Sequence, residues 1–165
     1  MESLLANVKQ YCQARAMAWQ ESSVLGWGQD GTVWQTPVPT AVKAFYRQSN
    51  YDVEKSCYQR LAEKGLRTLD GLYLAQLIDF DDELLVIELS IVSPPYLLDF
   101  GKAYLDCRAP YDEVQRTEYH DMIRDLFGDD YARVLRITRM LWHLCQIDYV
   151  DAKPANICLR KPESE

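Results

Sequence analysis

The sequence predicts an α+β fold, in which a small antiparallel sheet with one packed helix is followed by a reduced helical C-terminal part. Three observations predict it. Residues 22–46 alternate Val, Trp and Thr around Gly and Pro, an amphipathic helix at 3–19 precedes them, and polar helices follow near 112–127 and 129–146. A chain of 165 residues is long enough for one core and little more, so we expect a single domain over 1–165.

The N-terminal helix is the first part of this domain, residues 1–20. Its apolar side chains share one stripe of a 3.6-residue helix: Leu4, Leu5, Val8, Tyr11, Cys12, Ala18 and Trp19. Arg15 falls inside the stripe, but its long stem can lie along apolar surface while its charged head reaches water. We expect this helix to run to residue 19 and to pack ahead of the sheet.

The sheet-rich part covers residues 21–92. Its first two or three short strands lie in 22–46, and a helix with Gly65 at its stop position follows at 52–64. The remaining elements are two strands and the tight turn between them: 73–80, 83–91 and Asp81-Asp82.

The helical part covers residues 93–165. It begins where Ser93-Pro94-Pro95 interrupts regular structure, and a short strand is expected at 96–99. The two polar helices follow this strand. The final residues, 160–165, have the composition of a frayed end.

Composition excludes several classes of protein. The formal net charge is −7, from 18 Lys plus Arg against 25 Asp plus Glu, and the sequence contains no basic stripe, so we expect no nucleic-acid partner. The five cysteines show no Cys-x-x-Cys spacing, which favours reduced core residues in a cytoplasmic protein. The N-terminal residues lack a signal pattern and there is no run of 18 apolar residues, so we expect no membrane partner.

Four short stretches occur in a fixed order along the chain. They are Gly26-Trp27-Gly28-Gln29-Asp30-Gly31-Thr32-Val33, Ala41-Val42-Lys43, Leu85-Val86-Ile87-Glu88-Leu89 and Asp151-Ala152-Lys153-Pro154-Ala155-Asn156. Together they resemble the eukaryotic-type protein kinase family over about residues 20–160. The resemblance implies a kinase-like small lobe, made of the sheet and its helix, above the reduced helical part. It also implies ATP and magnesium as cofactors.

The glycine-rich stretch resembles a phosphate-covering loop. In that interpretation Gly26, Gly28 and Gly31 let backbone amides approach the phosphates, and Val33 covers the adenine. The alternative is an ordinary hairpin whose turn needs positive φ angles.

Lys43 resembles the strand lysine that contacts the α and β phosphates. The resemblance places its carboxylate partner on the following helix, where we expect Glu54 rather than Glu63. The alternative is a solvated strand lysine with no such partner.

The resemblance also implies an adenine-binding strand. The backbone carbonyl of Glu88 and the backbone groups of Ser90 are expected at the adenine edge, beside Ile87. Any buried strand that ends in a polar residue has the same pattern, so this second interpretation stays open.

The stretch from Asp151 to Asn156 resembles a kinase catalytic loop. The resemblance implies that Asp151 accepts or orients the proton of the attacking hydroxyl, Lys153 neutralises the moving phosphoryl charge and Asn156 holds magnesium. A polar loop after a helix is the alternative. Tyr149-Val150 stands where the family has His-Arg, so regulation through a phosphorylated activation loop is not expected.

The sequence departs from the family after Asn156, where only nine residues remain and none is Asp. A kinase continues to a magnesium-binding Asp-Phe-Gly and a substrate-binding lobe. An Asp99-Phe100-Gly101 triplet occurs instead before the catalytic-type loop. It is either a chance strand end, or Asp99 supplies the metal carboxylate that the later segment would have supplied.

Two classes of function follow from the resemblance. The first is a minimal phosphotransferase that moves the γ-phosphate of ATP with magnesium. The second is a catalytically inactive pseudokinase, a nucleotide-sensing or protein-interaction module. A third possibility is that a protein partner or a second copy of the chain, in a homodimer, completes the missing lobe.

Overall fold

The computed structural model describes residues 2–160, which form a mixed α+β fold of mainly antiparallel sheets and helices. The α-helices are α1 Glu2–Ala14, α2 Gln48–Glu63, α3 Glu113–Phe127 and α4 Tyr131–Cys145, with a 3₁₀ turn at Gly128–Asp130. The strands are β1 Val24–Trp27, β2 Gly31–Gln35, β3 Thr40–Phe45, β4 Thr68–Leu69, β5 Leu72–Leu74, β6 Leu77–Asp81, β7 Val86–Ser90, β8 Tyr96–Leu97, β9 Ala103–Leu105, β10 Ile147–Tyr149 and β11 Ile157–Cys158.

The main sheet has five antiparallel strands in the order β1-β2-β3-β7-β6. Two small sheets complete the fold, one of order β11-β8-β5-β4 and one in which β9 pairs with β10. In the first of these, β5 and β8 run parallel, and the other pairs are antiparallel.

The two faces of the main sheet carry different residues. Lys43 pairs directly with Ile87, and the preceding residue, Val42, pairs with Glu88. Because successive side chains of a strand point to opposite faces, Lys43 and Glu88 lie on opposite faces of the sheet. The face of Val42 packs under α1, in a core of Leu4, Val8, Tyr11, Cys12, Trp34, Val42, Ala44 and Val86. Lys43 therefore lies on the face of the sheet opposite α1.

The N-terminal helix is shorter than predicted and ends at Ala14 instead of residue 19. Ala16 has φ 50, a left-handed conformation that stops an α-helix. The Arg15 guanidinium lies 3.6 Å from the centre of the Tyr11 ring, and its Nε donates to Asp79 Oδ2 at 2.5 Å. Arg15 thus connects α1 to strand β6.

Helix α2 starts earlier than the predicted residue 52, at Gln48. Its inner face buries Tyr51, Glu54, Cys57, Tyr58 and Leu61. The expected two-residue turn at Asp81-Asp82 is wrong, because Asp81 pairs with Val86 and four residues connect the strands. In this longer turn Asp81 Oδ1 accepts hydrogen bonds from the amides of Glu83 and Leu84.

The C-terminal part contains both predicted helices. Asp112 caps α3 through a capping box with Gln115, and Gln146, at φ 54, ends α4. The expected strand at 96–99 is β8, which ends at Leu97. Strands β9, β10 and β11 were not predicted, because two or three residues are too few to show a periodic pattern.

The predicted frayed end falls mostly on residues 161–165, which lie outside the described residues. All five cysteines are free, and of these Cys107 is exposed rather than in the core. Among residues 2–160, no helix has both the length and the apolar character needed to cross a lipid bilayer.

Candidate functional site

Lys43 lies in the middle of a charged cluster between β3 and α2. Its Nζ donates to Glu54 Oε2 at 2.6 Å and to Asp99 Oδ1 at 3.3 Å. Lys43 and Glu54 are 8% and 1% exposed. The expected partner Glu54 is therefore present, although only 11 positions separate it from Lys43, and the alternative of a solvated strand lysine is excluded.

The charges of this cluster are unequal. Glu54 and Asp99 raise the pKa of Lys43 against the opposing effect of burial, so the ammonium keeps its proton. Burial raises the pKa of Glu54 to about 7, because the Lys43 ammonium does not offset the loss of water and the negative charges of Asp99 and Asp30. The single ammonium group of Lys43 thus contacts two carboxylates, those of Glu54 and Asp99.

Asp30 is a member of this cluster that sequence reasoning missed. Its Oδ2 lies 3.1 Å from the position a Cβ would take on Gly101, and the same point lies 3.3 Å from Glu54 Oε2 and 3.4 Å from Asp99 Oδ1. Asn50 of α2 donates to the Asp30 carboxylate, and the amide of Tyr46 donates to its carbonyl at 3.1 Å. The tip of the glycine-rich hairpin is therefore bound to α2, with a carboxylate facing the cluster.

The glycine-rich stretch forms the β1–β2 hairpin. Gly26 lies in β1, Gly31 begins β2, and the amide of Gly28 donates to the Gly31 carbonyl at 2.9 Å. None of these three glycines has a positive φ, so the turn itself does not require them. A Cβ on Gly31 would lie 2.0 Å from the carbonyl oxygen of Ala44, whereas nothing lies within 4 Å of a Cβ on Gly26 or Gly28.

The three glycines of the hairpin therefore have different structural roles. Gly31 allows β2 to approach β3, which is a packing requirement. No neighbouring atom lies near the Cβ position of Gly26 or Gly28, which leaves room for a ligand beside them, although the Gly28 amide already donates to the Gly31 carbonyl. Val33 is half-buried and pairs directly with Lys43, so its side chain lies on the Lys43 face of the sheet.

The expected adenine-binding residues, Glu88 and Ser90, lie in the second half of β7. The Glu88 side chain points to the opposite face, where Tyr11 donates to its Oε2 at 3.1 Å. Glu88 lies in the interior strand β7, between β3 and β6. The Ser90 amide donates to the Gln76 carbonyl at 2.9 Å, and the Ser90 hydroxyl accepts from the Gln76 amide at 2.9 Å. The Ser90 amide is therefore used within the protein, while the expected adenine contact of the Glu88 carbonyl stays a prediction.

The loop from Asp151 to Asn156 follows β10 and leads into β11. Asp151 Oδ2 accepts from Lys153 Nζ and from Asn156 Nδ2, both at 2.9 Å, while Asp151 Oδ1 accepts from Lys102 Nζ at 3.4 Å. Burial acts to raise the pKa of Asp151, but the ammonium groups of Lys153 and Lys102 hold it below its ordinary value. The three expected residues are in direct contact, and Lys102 is an addition that the sequence analysis missed.

Pairing of β8 with β11 brings the early Asp99 triplet to this loop. Leu97 pairs with Ile157, and the Leu98 amide donates to the Asn156 carbonyl at 2.9 Å. Phe100 is fully buried and makes edge contacts with Tyr58 of α2 and Tyr149 of β10, at centroid distances of 5.2 and 5.4 Å. The triplet therefore lies between the Lys43 cluster and the Asp151 loop.

The donor set at this junction fits magnesium bound together with phosphates. Asp99 and Asn156 offer a carboxylate and an amide oxygen, and magnesium in nucleotide sites commonly takes one or two carboxylates while phosphates and waters supply the rest. In the part of the chain that the structure describes, no group of three or more His, Cys, Asp or Glu side chains is arranged to hold a metal without other ligands.

The candidate site therefore combines a buried lysine and its carboxylate partner, an open glycine backbone, and a loop whose aspartate contacts two ammonium groups. No family model, no curated protein and no solved structure matches this chain.

Proposed function

We propose that this chain is a kinase-like ATP-binding protein that transfers the γ-phosphate of ATP to a hydroxyl group with magnesium. The single observation that carries the proposal is the position of Asp99. It contacts Lys43 at 3.3 Å, and the adjacent Leu98 contacts Asn156 at 2.9 Å, so residues far apart in sequence form one charged site. Phosphoryl transfer depends mainly on such positioning and charge neutralisation.

Each residue has one task in this proposal. Lys43, oriented by Glu54, binds the α and β phosphates under the backbone of Gly26, Gly28 and Gly31, and Val33 contacts the adenine. Asp99 and Asn156 would hold magnesium, which neutralises phosphate charge when bound.

Asp151 and Lys153 act on the transferring group. As the acceptor oxygen forms its bond to the γ-phosphorus, the acceptor proton passes to Asp151. The bond from that phosphorus to the bridging oxygen breaks, and ADP leaves with the electron pair while Lys153 balances the charge. The free cysteines suit a reducing compartment, so we propose the cytoplasm as the location.

The alternative is a pseudokinase, and the Asp30 carboxylate is the observation that favours it. This negative charge faces the cluster in which the phosphates are expected, and it is held there by Asn50. A module of this kind would act by contacting a protein partner or a second copy of the chain. Light scattering over a range of concentrations tests self-association.

Calorimetric titration with ATP, with and without magnesium, tests the proposal. We expect heat that depends on magnesium in the wild type and is lost in Lys43→Ala, while Lys9→Ala on the exposed surface of α1 serves as control. Asp151→Asn should still bind ATP with the same magnesium-dependent heat, but it should no longer produce ADP. Heat independent of both magnesium and Lys43 would indicate the sensor, and the absence of heat in the wild type would overturn nucleotide binding.

A further inference from the structure

We infer that the acceptor is a small anionic hydroxyl compound, with a phosphate or carboxylate group near the reacting hydroxyl, and that Lys102 binds this group. The inference rests on the proposed function and adds the acceptor's chemical class to it. The observation behind it is that the two oxygens of Asp151 have different partners.

Asp151 Oδ2 is the strongly held oxygen. Lys153 and Asn156 both donate to it at 2.9 Å, and Asn156 also donates to the Asp151 carbonyl at 3.0 Å. These contacts fix the orientation of the carboxylate. A hydroxyl that approached Oδ2 would have to displace two short hydrogen bonds.

Asp151 Oδ1 is the weakly held oxygen. Its contact is with Lys102 at 3.4 Å, and the Lys102 side chain is 47% exposed. An ion pair made by so exposed a lysine contributes little to stability, so an acceptor hydroxyl can replace it at small cost. Oδ1 is therefore the atom that receives the acceptor proton.

Displacement leaves the Lys102 ammonium without its carboxylate partner beside the bound acceptor. An anionic group on the acceptor restores the lost interaction, whereas a neutral acceptor leaves the charge to solvent alone. The inference follows from this exchange: the hydroxyl takes Oδ1 and the anionic group takes Lys102.

The surrounding charges favour an anion at this place. Lys102 and Lys153, 47% and 43% exposed, share the single carboxylate of Asp151. The neighbouring Asp148 is already bound, by Arg108 at 2.7 Å and by the Ala109 amide at 2.8 Å. Around Asp151, two ammonium groups thus face one carboxylate, in a chain whose net charge is −7.

Three compounds with the same carbon skeleton test the inference: glycerol, glycerate and glycerol 3-phosphate. Each is titrated into the isotope-labelled full chain at constant ionic strength, and the amide signals of residues 102 and 153 are followed by NMR. We expect saturable shifts with glycerate or glycerol 3-phosphate, and an affinity at least tenfold weaker for glycerol. Comparison of the two anions tells a carboxylate from a phosphate preference.

Variants of Lys102 make the test specific. Lys102→Gln should weaken binding of the anionic compound at least fivefold and Lys102→Arg should retain it, while Lys9→Gln controls for loss of a surface charge. An unchanged amide spectrum elsewhere shows that each variant is folded. Equal binding of all three compounds, no binding of any, equal shifts with sodium sulfate, or an unaffected Lys102→Gln would overturn the inference.

These titrations contain no nucleotide, so their result is separate from that of the ATP calorimetry. Absence of ATP heat in the wild type overturns the nucleotide binding on which the proposed function depends. If the anionic compounds bind no better than glycerol, or if Lys102→Gln has no effect on their binding, only the inferred class of acceptor is overturned.

Discussion

The backbone amide of Leu98 donates a hydrogen bond to the carbonyl oxygen of Asn156 at 2.9 Å. This contact joins a segment that follows the main sheet to the loop that follows the last helix. Because of it, Asp99 lies between Lys43 and the Asp151 loop even though its triplet comes early in the chain. The relationship makes Asp99 the residue whose replacement is most informative.

Replacing Asp99 with Asn should remove the magnesium-dependent part of ATP binding. Asn is the suitable replacement because Asp99 has φ 60, a conformation that Asn tolerates better than Ala. Calorimetry with and without magnesium measures the effect. Asp106→Asn is the matched control, since Asp106 has φ 61 and pairs with Arg60 on the surface. If ATP binding by Asp99→Asn still depends on magnesium, the triplet is a chance strand end and not a metal site.

Replacing Asp30 with Asn should strengthen ATP binding in the absence of magnesium about three- to fivefold, which corresponds to about 1 kcal/mol or less. The change removes a negative charge that faces the cluster but leaves an amide to contact Asn50. With magnesium the gain should shrink, because the metal offsets the same charge. Asp52→Asn, on the exposed side of α2, should have no effect. Weaker binding by Asp30→Asn would mean that this carboxylate helps to hold the ligand or the metal.

Two glycine variants separate packing from ligand binding. Gly31→Ala should lower the free energy of unfolding by about 2–3 kcal/mol, because its Cβ would meet the Ala44 carbonyl at 2.0 Å. Gly28→Ala has open space and should change stability by less than about 1 kcal/mol. Urea denaturation measures both, and ATP calorimetry should show weaker binding for the folded Gly28→Ala. Equal stability of the two variants would contradict the close approach of β2 to β3.

Glu54 should make the protein less stable as the pH rises from about 4.5 to about 7. Its pKa is raised from 4.5 to about 7, so within this window the folded state binds more protons than the unfolded state, and stability falls as the pH increases. The expected loss is about 1–3 kcal/mol by urea denaturation. Asp151, whose pKa is lowered, acts in the opposite sense and below this window.

Glu54→Gln provides the control for this pH dependence. The amide has no proton to lose in that range, so the decline between about pH 4.5 and pH 7 should disappear while the fold is retained. A wild type whose stability is flat over the window, or a variant with the same decline as the wild type, would show that another group is responsible.

Local patterns in the sequence were sufficient for much of the fold and for part of the site. The polar helices α3 and α4 lie close to the ranges that the sequence analysis predicted for them. Lys43 and Glu54 meet because they lie on a strand and on the helix that follows it along the chain. The Asp151, Lys153 and Asn156 contacts form within one loop of six residues. Each of these features depends on residues that are near one another in sequence.

The other features depend on pairing between distant segments, which no local period encodes. The position of Asp99 follows from the two-residue pairing of β8 with β11. The position of Lys102 beside Asp151 follows from the pairing of Ala103 in β9 with Tyr149 in β10. The face on which Glu88 points depends on the register of β7, since a shift of one residue would reverse it. Asp30 reaches the cluster through its contacts with Tyr46 and Asn50, which follow β3 along the chain. Side-chain chemistry and local spacing therefore specify the helices, the strands and the Asp151 loop, whereas long-range strand register brings the separate charges into one site.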